Sequence, residues 1–323
     1  LDVLCFGEAI IDFFPAEGFG HLSEVETFRR HLGGAPTNVA VGLARQGTRV
    51  GLETIVGNDD FGRFLRAQLA QEGIDCTAVH VHPAARTGIA FVAVERSGQR
   101  SFTFYRTDTA DQLLDGSMID PEAAARARLF HFGATTLGTE PMRSATLRAL
   151  ELAERAGCTI SFDPNWREHL WGAPSKGVAL IRELVARAHI VKLSDDELPT
   201  LLGLSDPQAA AARLVELGCT LAVITVGARG CLWHRADGLR GTSPGVEVAM
   251  VDSTGAGDAF VAGLLASLSR ALCPLANGSP GAALCSLPTA AMDEAMRSAN
   301  ALGASACTAV GATTAIPRAS GSR

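Results

Sequence analysis

Short apolar runs alternate along this chain with longer amphipathic stretches, and that alternation restricts the fold more than any other feature. Residues 3–6, 49–56, 129–132, 159–162, 189–193 and 221–226 are rich in Val, Ile, Leu and Phe and read as strands. Residues 141–156, 178–188 and 207–217 carry apolar positions at helical spacing between the later strands. A helix between consecutive strands returns the chain to the end where it began, so the strands run parallel. A parallel sheet in turn needs helices over both faces. The expected class is α/β, with a mostly parallel, doubly wound sheet. Ligands in such sheets bind beyond the carboxyl ends of the strands. Asp12, Asp163, Asn165, Arg167, Lys192, Glu197 and Thr225 all fall at or just past strand ends, which points to one site.

The densest chemical signal is Val251-Asp252-Ser253-Thr254-Gly255-Ala256-Gly257-Asp258-Ala259-Phe260. The apolar residues that follow (Val261, Ala262, Leu264, Leu265, Leu268) have the spacing of a buried helix, which Thr254 and Gly255 open. Gly255, Ala256 and Gly257 leave their backbone N–H groups unobstructed at the positive end of that helix, which makes an anion site. Asp258 lies one turn inside it. A carboxylate is repelled by a bound phosphate, so a role as a mere helix-dipole partner explains it poorly. A general base that takes a proton from an attacking hydroxyl has to be there.

Gly33-Gly34-Ala35-Pro36-Thr37-Asn38 is the second informative stretch. Paired glycines permit unusual backbone angles, Pro36 suits a first helical turn, and Asn38 faces back toward the glycines. Asp12 stands alone in an apolar segment, either on an exposed strand face or in a site. Residues 87–95 and 100–105 read as a hairpin around Ser97-Gly98. With Phe13, Phe14 and Phe28 they concentrate aromatics in a chain that has only 6% of them. Asn58 and Asp60 read as cap residues of a helix over 63–72. Ser194 and Glu197 have capping-box spacing. Thr225-Val226-Gly227-Ala228-Arg229-Gly230 is a glycine turn after a strand, and 273–290 reads as a surface loop followed by a last helix from 292 to about 306.

A net charge of −6 argues against a nucleic-acid surface, and no apolar run is long enough to span a membrane. The start of the chain lacks the basic flank of a signal peptide. The eight cysteines show no Cys-x-x-Cys pair, and the eight histidines no helical His-x-x-x-His pair. Reduced thiols, no transition-metal site and a cytoplasmic location are the expectations. Neither a Gly-x-x-x-x-Gly-Lys-Ser/Thr loop nor a Gly-x-Gly-x-x-Gly after the first strand is present, against a P-loop or dinucleotide fold.

Asp252-Ser253-Thr254-Gly255-Ala256-Gly257-Asp258-Ala259-Phe260 resembles the C-terminal signature of the ribokinase-like (phosphofructokinase-B type) sugar kinases, and the stretch from Gly33 to Asn38 resembles their N-terminal one. The resemblance runs from Gly7 to Pro317. It implies a three-layer α/β/α sandwich over 1–323 as a single domain, with a small β-sheet lid formed by about 12–32 and 86–107. It also implies ATP and magnesium, and potassium as a monovalent cation. Asp12, Gly34 and Asn38 would contact the sugar, with Arg106 and Arg167 as further contacts. Lys192, Thr225, Gly227, Gly230 and Asn300 would line the nucleotide. Glu197 would hold magnesium through water, although Ser194 replaces the Asn of the family's motif there, and Asp252 and Thr254 would lie at the monovalent cation. Many members dimerise through the lid, and the aromatic content here is compatible with such a homodimer.

Within the family, Phe104-Tyr105-Arg106, Asp163-Pro164-Asn165-Trp166-Arg167 and Lys192-Leu193-Ser194 look most like fructokinases. The implied reaction is transfer of the γ-phosphoryl group of ATP to the 6-hydroxyl of D-fructose. The alternative is a 2-keto-3-deoxygluconate kinase, whose acid would suit the arginines. A nucleoside kinase wants an aromatic partner for its base, and the sequence places none. A non-catalytic sugar-binding descendant is the remaining reading.

Overall fold

The computed structural model describes residues 1–17, 21–94, 100–273 and 279–319. Its strands are β1 (Val3–Phe6), β2 (Ile10–Pro15), β3 (Phe28–Gly33), β4 (Val50–Gly57), β5 (Val79–His82), β6 (Ile89–Val94) and β7 (Arg100–Tyr105) in the first third. There follow β8 (Leu129–Gly133), β9 (Thr159–Asp163), β10 (Ile190–Ser194), β11 (Leu221–Thr225), β12 (Cys231–Arg235) and β13 (Arg240–Ser243). Nine of them form one sheet in the order β13-β12-β11-β10-β9-β8-β1-β4-β5. From β5 to β11 every neighbouring pair is parallel, and β12 and β13 close one edge antiparallel.

The central strands are largely apolar because both faces are covered. Val3 and Cys5 of β1 pack on one side with the helices Ala35–Arg45, Ala256–Leu272 and Thr289–Ala306. Leu4 and Phe6 pack on the other with Met142–Arg155, Pro174–Arg187 and Pro207–Glu216. The result is a three-layer α/β/α arrangement. On the second face Phe6, Phe132 and Phe162 come from adjacent strands in register. The Phe132 and Phe162 rings stack with centroids 4.6 Å apart, a contact worth about 0.5–1.5 kcal/mol beyond burial.

The remaining strands form a second, four-stranded sheet in the order β3-β2-β6-β7. β2 pairs antiparallel with β3 and parallel with β6, and β6 pairs antiparallel with β7 as the hairpin pattern requires. The Ser97-Gly98 turn itself lies outside the described residues. Phe13 stacks on Phe91 at 5.2 Å, with Phe28 and Tyr105 edge-on to Phe91, so the aromatic concentration becomes one cluster on this sheet.

Four local expectations are corrected. The first helix after β4 is Asp60–Gln71, and Asp59 caps it: its carboxylate accepts from Gly62 N at 2.8 Å and from Thr87 N and Oγ1. Residues 280–286 are not loop but helix, because Ser279 caps the segment, Pro280 starts it and Leu284 is buried beneath it. The final helix accordingly begins at Thr289. The β12–β13 hairpin was not anticipated, although Asp237-Gly238 at its turn is a hairpin signal. Of the eight cysteines, all free, four are buried, while Cys273 is exposed. No helix among the described residues is long and apolar enough to cross a membrane.

Candidate active site

A cavity of about 700 Å³ lies beyond the carboxyl ends of β1 and β8 to β11, where Glu8, Thr135, Asp163, Ser194 and Thr225 line it. Ile10 and Asp12 of β2 and Phe102 and Phe104 of β7 contribute a wall from the smaller sheet. Such a volume suits a ligand of metabolite size.

The base of the cavity is the start of the 17-residue helix Ala256–Leu272. Gly255 precedes it with φ +74°, and an added Cβ would lie 2.5 Å from the Ala312 Cβ, so only glycine fits this turn. The Ala256 N–H donates to the Ser253 carbonyl at 3.2 Å. The amides of Gly255 and Gly257 have no such backbone partner among the described residues, so the three expected anion donors are not equivalent. Lys192 completes the positive end: its Nζ stands 3.2 Å from where a Gly257 Cβ would be. Burial opposes the charge on Lys192, but Asp163, accepting from it at 3.1 Å, and Glu197 hold its pKa above the usual range. A helix N-terminus and a fixed ammonium thus converge on one spot.

Asp258 sits in the first turn of that helix and is only 8% exposed. Asn38 Nδ2 donates to its Oδ2 at 2.8 Å across 220 residues of sequence. Burial pushes the Asp258 carboxyl up to about 6, with Asp163 adding to the rise and the Asn38 hydrogen bond opposing it. A carboxylate with that pKa is ionised at neutral pH yet basic enough to accept a proton. The Asn38 side-chain oxygen is buried without a partner, leaving an acceptor available to a ligand hydroxyl. Because the lost hydrogen bond favours the carboxylate form, Asn38→Leu is expected to move the acid limb of kcat/KM above its wild-type position near pH 6. A pH–rate profile checks this, and an unmoved limb would separate Asn38 from the titrating group.

Asp12 is 6% exposed and lines the cavity, so it does not lie on an exposed strand face. Burial pushes its carboxyl up to about 8, reinforced by the charges of Asp258 and Glu8. Gly34, with φ +99°, has room for no side chain because a Cβ would meet the Glu8 carbonyl at 2.3 Å. Glu8 went unnoticed in the sequence, where it only ended a strand. It accepts from Ala35 N at 3.0 Å and from Thr135 Oγ1 at 2.6 Å, fastening the Gly34 turn to the end of β8. Arg106 and Arg167 both line the cavity, Arg106 buried and Arg167 exposed. Phe102 was not singled out in the sequence and Phe104 only as part of Phe104-Tyr105-Arg106, although their alternate positions on β7 put both on one face.

At the other end Thr225, Gly227, Gly230 and Asn300 line the cavity with Val246, Val248, Met250 and Cys307. Asn300 Nδ2 donates to the Ser243 and Pro244 carbonyls at 3.1 Å, so it holds the segment after β13 against the final helix. The 246–250 wall has no periodic pattern, and nothing local marks it. Glu197 does not line the cavity. Its Oε1 accepts from Trp166 N at 2.7 Å and its Oε2 from Ser194 N and Oγ at 2.7 and 2.8 Å, so it ties the loop after β9 to that after β10. Both Glu197 oxygens thus accept from protein donors, and the expected role at magnesium is one exerted through water. Asp252 accepts from Thr254 N and Gly311 N, both at 2.8 Å, and the Thr254 hydroxyl beside it is buried without a hydrogen-bond partner. Such an oxygen-only pair suits a hard cation.

Residues 1–319 match the family described as pfkB family carbohydrate kinase. Fructokinase-1 of Oryza sativa subsp. japonica is 38% identical over 316 residues, covering 98% of this chain and 94% of the relative. A fructokinase double mutant from Vibrio cholerae O395, solved with fructose, ADP and a potassium ion, superposes with a TM-score of 0.84 at 34% identity. That match covers 98% of this chain and 95% of the other. The aminoimidazole riboside kinase of Salmonella enterica, solved with its riboside and an ATP analogue, gives a TM-score of 0.82 at 34% identity, covering 98% and 97%. With both signatures meeting in one cavity and full-length likeness in sequence and fold, the chain belongs to the pfkB family of carbohydrate kinases.

Proposed function

We propose that this chain is a fructokinase, which transfers the γ-phosphoryl group of ATP to the 6-hydroxyl of D-fructose with Asp258 as the general base. The observation that carries the reading is the buried Asp258 carboxylate, held by Asn38 in the first turn of a helix whose N-terminus faces the cavity. A proton acceptor and an anion-stabilising helix end then stand on the same turn, where a hydroxyl attacking a phosphorus atom needs them. The acceptor sugar lies against Asp12, Gly34 and Asn38, and the nucleotide runs along Thr225, Gly227 and Gly230 toward the 246–250 wall. The smaller sheet acts as a lid over the sugar in a single catalytic unit, excluding water that would compete for the phosphoryl group. The amides of Gly255 and Gly257 and the Lys192 ammonium stabilise charge on the transferring group. Asp252 and Thr254 would hold a potassium ion, which when bound would add positive charge beside that turn. Glu197, whose oxygens accept from Trp166 N and Ser194 N, would act on a magnesium ion only through a bridging water. The fructose complex of the Vibrio cholerae relative and the fructokinase names among the curated relatives support the substrate.

A second reading, a kinase for a riboside with a planar base, is favoured by Phe102 and Phe104, whose rings are parallel to within 12° and line the cavity. ADP release measured with fructose, 2-keto-3-deoxygluconate, ribose, adenosine and aminoimidazole riboside separates the readings. A kcat/KM for fructose at least tenfold above the rest is the expected result. Preference for a riboside would keep the base and reassign the phenylalanines to stacking. Turnover of none would favour a binding protein on this fold.

A further inference from the structure

Arg106 is the buried cation of the acceptor wall, and its charge is already matched. Its Nε and Nη2 donate to Asp111 Oδ2 at 2.8 and 2.6 Å. The Thr109 hydroxyl lies 2.8 Å from Asp111 Oδ1, so both carboxylate oxygens are fixed. The Asp111 side chain is 0% exposed and that of Arg106 6%. Room for the pair is made at Gly88, where an added Cβ would stand 2.3 Å from Asp111 Oδ1. Asp111 itself does not line the cavity, whereas Arg106 does, along with the carboxyl groups of Glu8 and Asp12. Arg106 Nη1 makes no hydrogen bond among the described residues, so the guanidinium keeps N–H donors for a ligand while its net charge is cancelled from behind.

We propose that Asp111 is the specificity-determining residue that reserves this acceptor site for uncharged sugars, by neutralising Arg106 and leaving it a hydroxyl donor rather than a carboxylate receptor. The inference rests on the sugar-kinase reading above and deepens it. An unpaired guanidinium at the cavity wall would draw a sugar acid into a bidentate contact. With Asp111 bound to it, the same group offers directional hydrogen bonds and a much weaker attraction for an anion. Asp111 acts through Arg106 and is a positioning residue.

The test compares D-fructose with 2-keto-3-deoxygluconate, by turnover and by equilibrium titration, in wild type and in Asp111→Asn. Asparagine keeps the size and one acceptor oxygen but removes the charge bonded to Arg106, leaving only the more distant Glu8 and Asp12 to act on it. The affinity for the acid relative to that for fructose is expected to rise at least tenfold in Asp111→Asn, whereas a purely structural role would weaken both sugars alike. A ratio within about threefold of wild type overturns the proposal. Should that variant not fold, Arg106→Gln combined with Asp111→Asn removes both charges together. Its ratio is expected to stay within about threefold of wild type, and a selective loss of the acid would show that Arg106 binds carboxylates already, overturning the proposal. Arg167 is unchanged in every variant and drops out of the comparison. Failure of the fructokinase reading would appear in wild-type turnover, whereas failure of this inference appears only in the ratios, which titration reads without turnover.

Discussion

Asp258→Asn is expected to lower kcat by about 10²–10⁴-fold while leaving ATP affinity within about tenfold of wild type. Asparagine has nearly the shape of aspartate and retains an oxygen for the Asn38 Nδ2 donor that now sits 2.8 Å from Asp258 Oδ2. The helix start and the Gly255 turn should therefore stand, and what disappears is the ability to take a proton from the acceptor hydroxyl. The wild-type pH profile carries the same information. Burial lifts the Asp258 pKa from the ordinary carboxylate range to about 6, so kcat/KM should fall as pH drops below that value and the carboxylate becomes protonated. In Asp258→Asn the residual activity should lose this acid limb. A variant that turned over fructose at near wild-type rate, or kept the limb, would remove Asp258 from the role of base.

Lys192→Met should have the second largest effect, and it separates into two parts. Lys192 is buried against Asp163 at 3.1 Å, so deleting the ammonium leaves a carboxylate unpaired in the interior. Breaking a buried pair in this way costs about 3–5 kcal/mol of stability. The catalytic part is independent: a charge beside Gly257 that stabilises the transferring phosphoryl group should be worth about 10²–10³-fold in kcat. Adding Asp163→Asn removes the orphaned charge and should restore most of the melting temperature without restoring the rate. Recovery of both in the double variant would mean that Lys192 only balances Asp163.

The parallel core was legible because it is written in local pattern. A strand buried on both faces is apolar at most positions, so Val3 to Phe6 and Leu221 to Thr225 announce themselves. The two glycine-bearing turns were legible for a related reason, since a left-handed backbone at Gly255 or a close approach at Gly34 excludes other residues at that position. Helix starts were read less well. Asp59 rather than Asn58 or Asp60 caps its helix, and Ser279 starts one inside a stretch whose Pro, Gly and Ser content resembled a loop.

The site divides along the same line. Asp258, Lys192, Asp12 and Asn38 stood out because their chemistry conflicts with their neighbours, a carboxylate beside an anion site or a charge at the end of an apolar strand. Glu8, Phe102 and Phe104 have no such conflict, and their place in the cavity comes from the packing of the small sheet over the large one. Pairings are the most remote from sequence: Asn38 with Asp258 spans 220 residues, and Lys192 with Asp163 spans 29. Even Asp111, five residues from Arg106, gives no local sign that it cancels that charge. Sequence alone determined which layers form and which residue types crowd the carboxyl ends of the strands, because backbone period and side-chain polarity act over a few residues. Only the tertiary structure decided which charges are matched, which amides are engaged and how basic Asp258 becomes, because burial and electrostatic pairing depend on groups that the chain brings together from far apart.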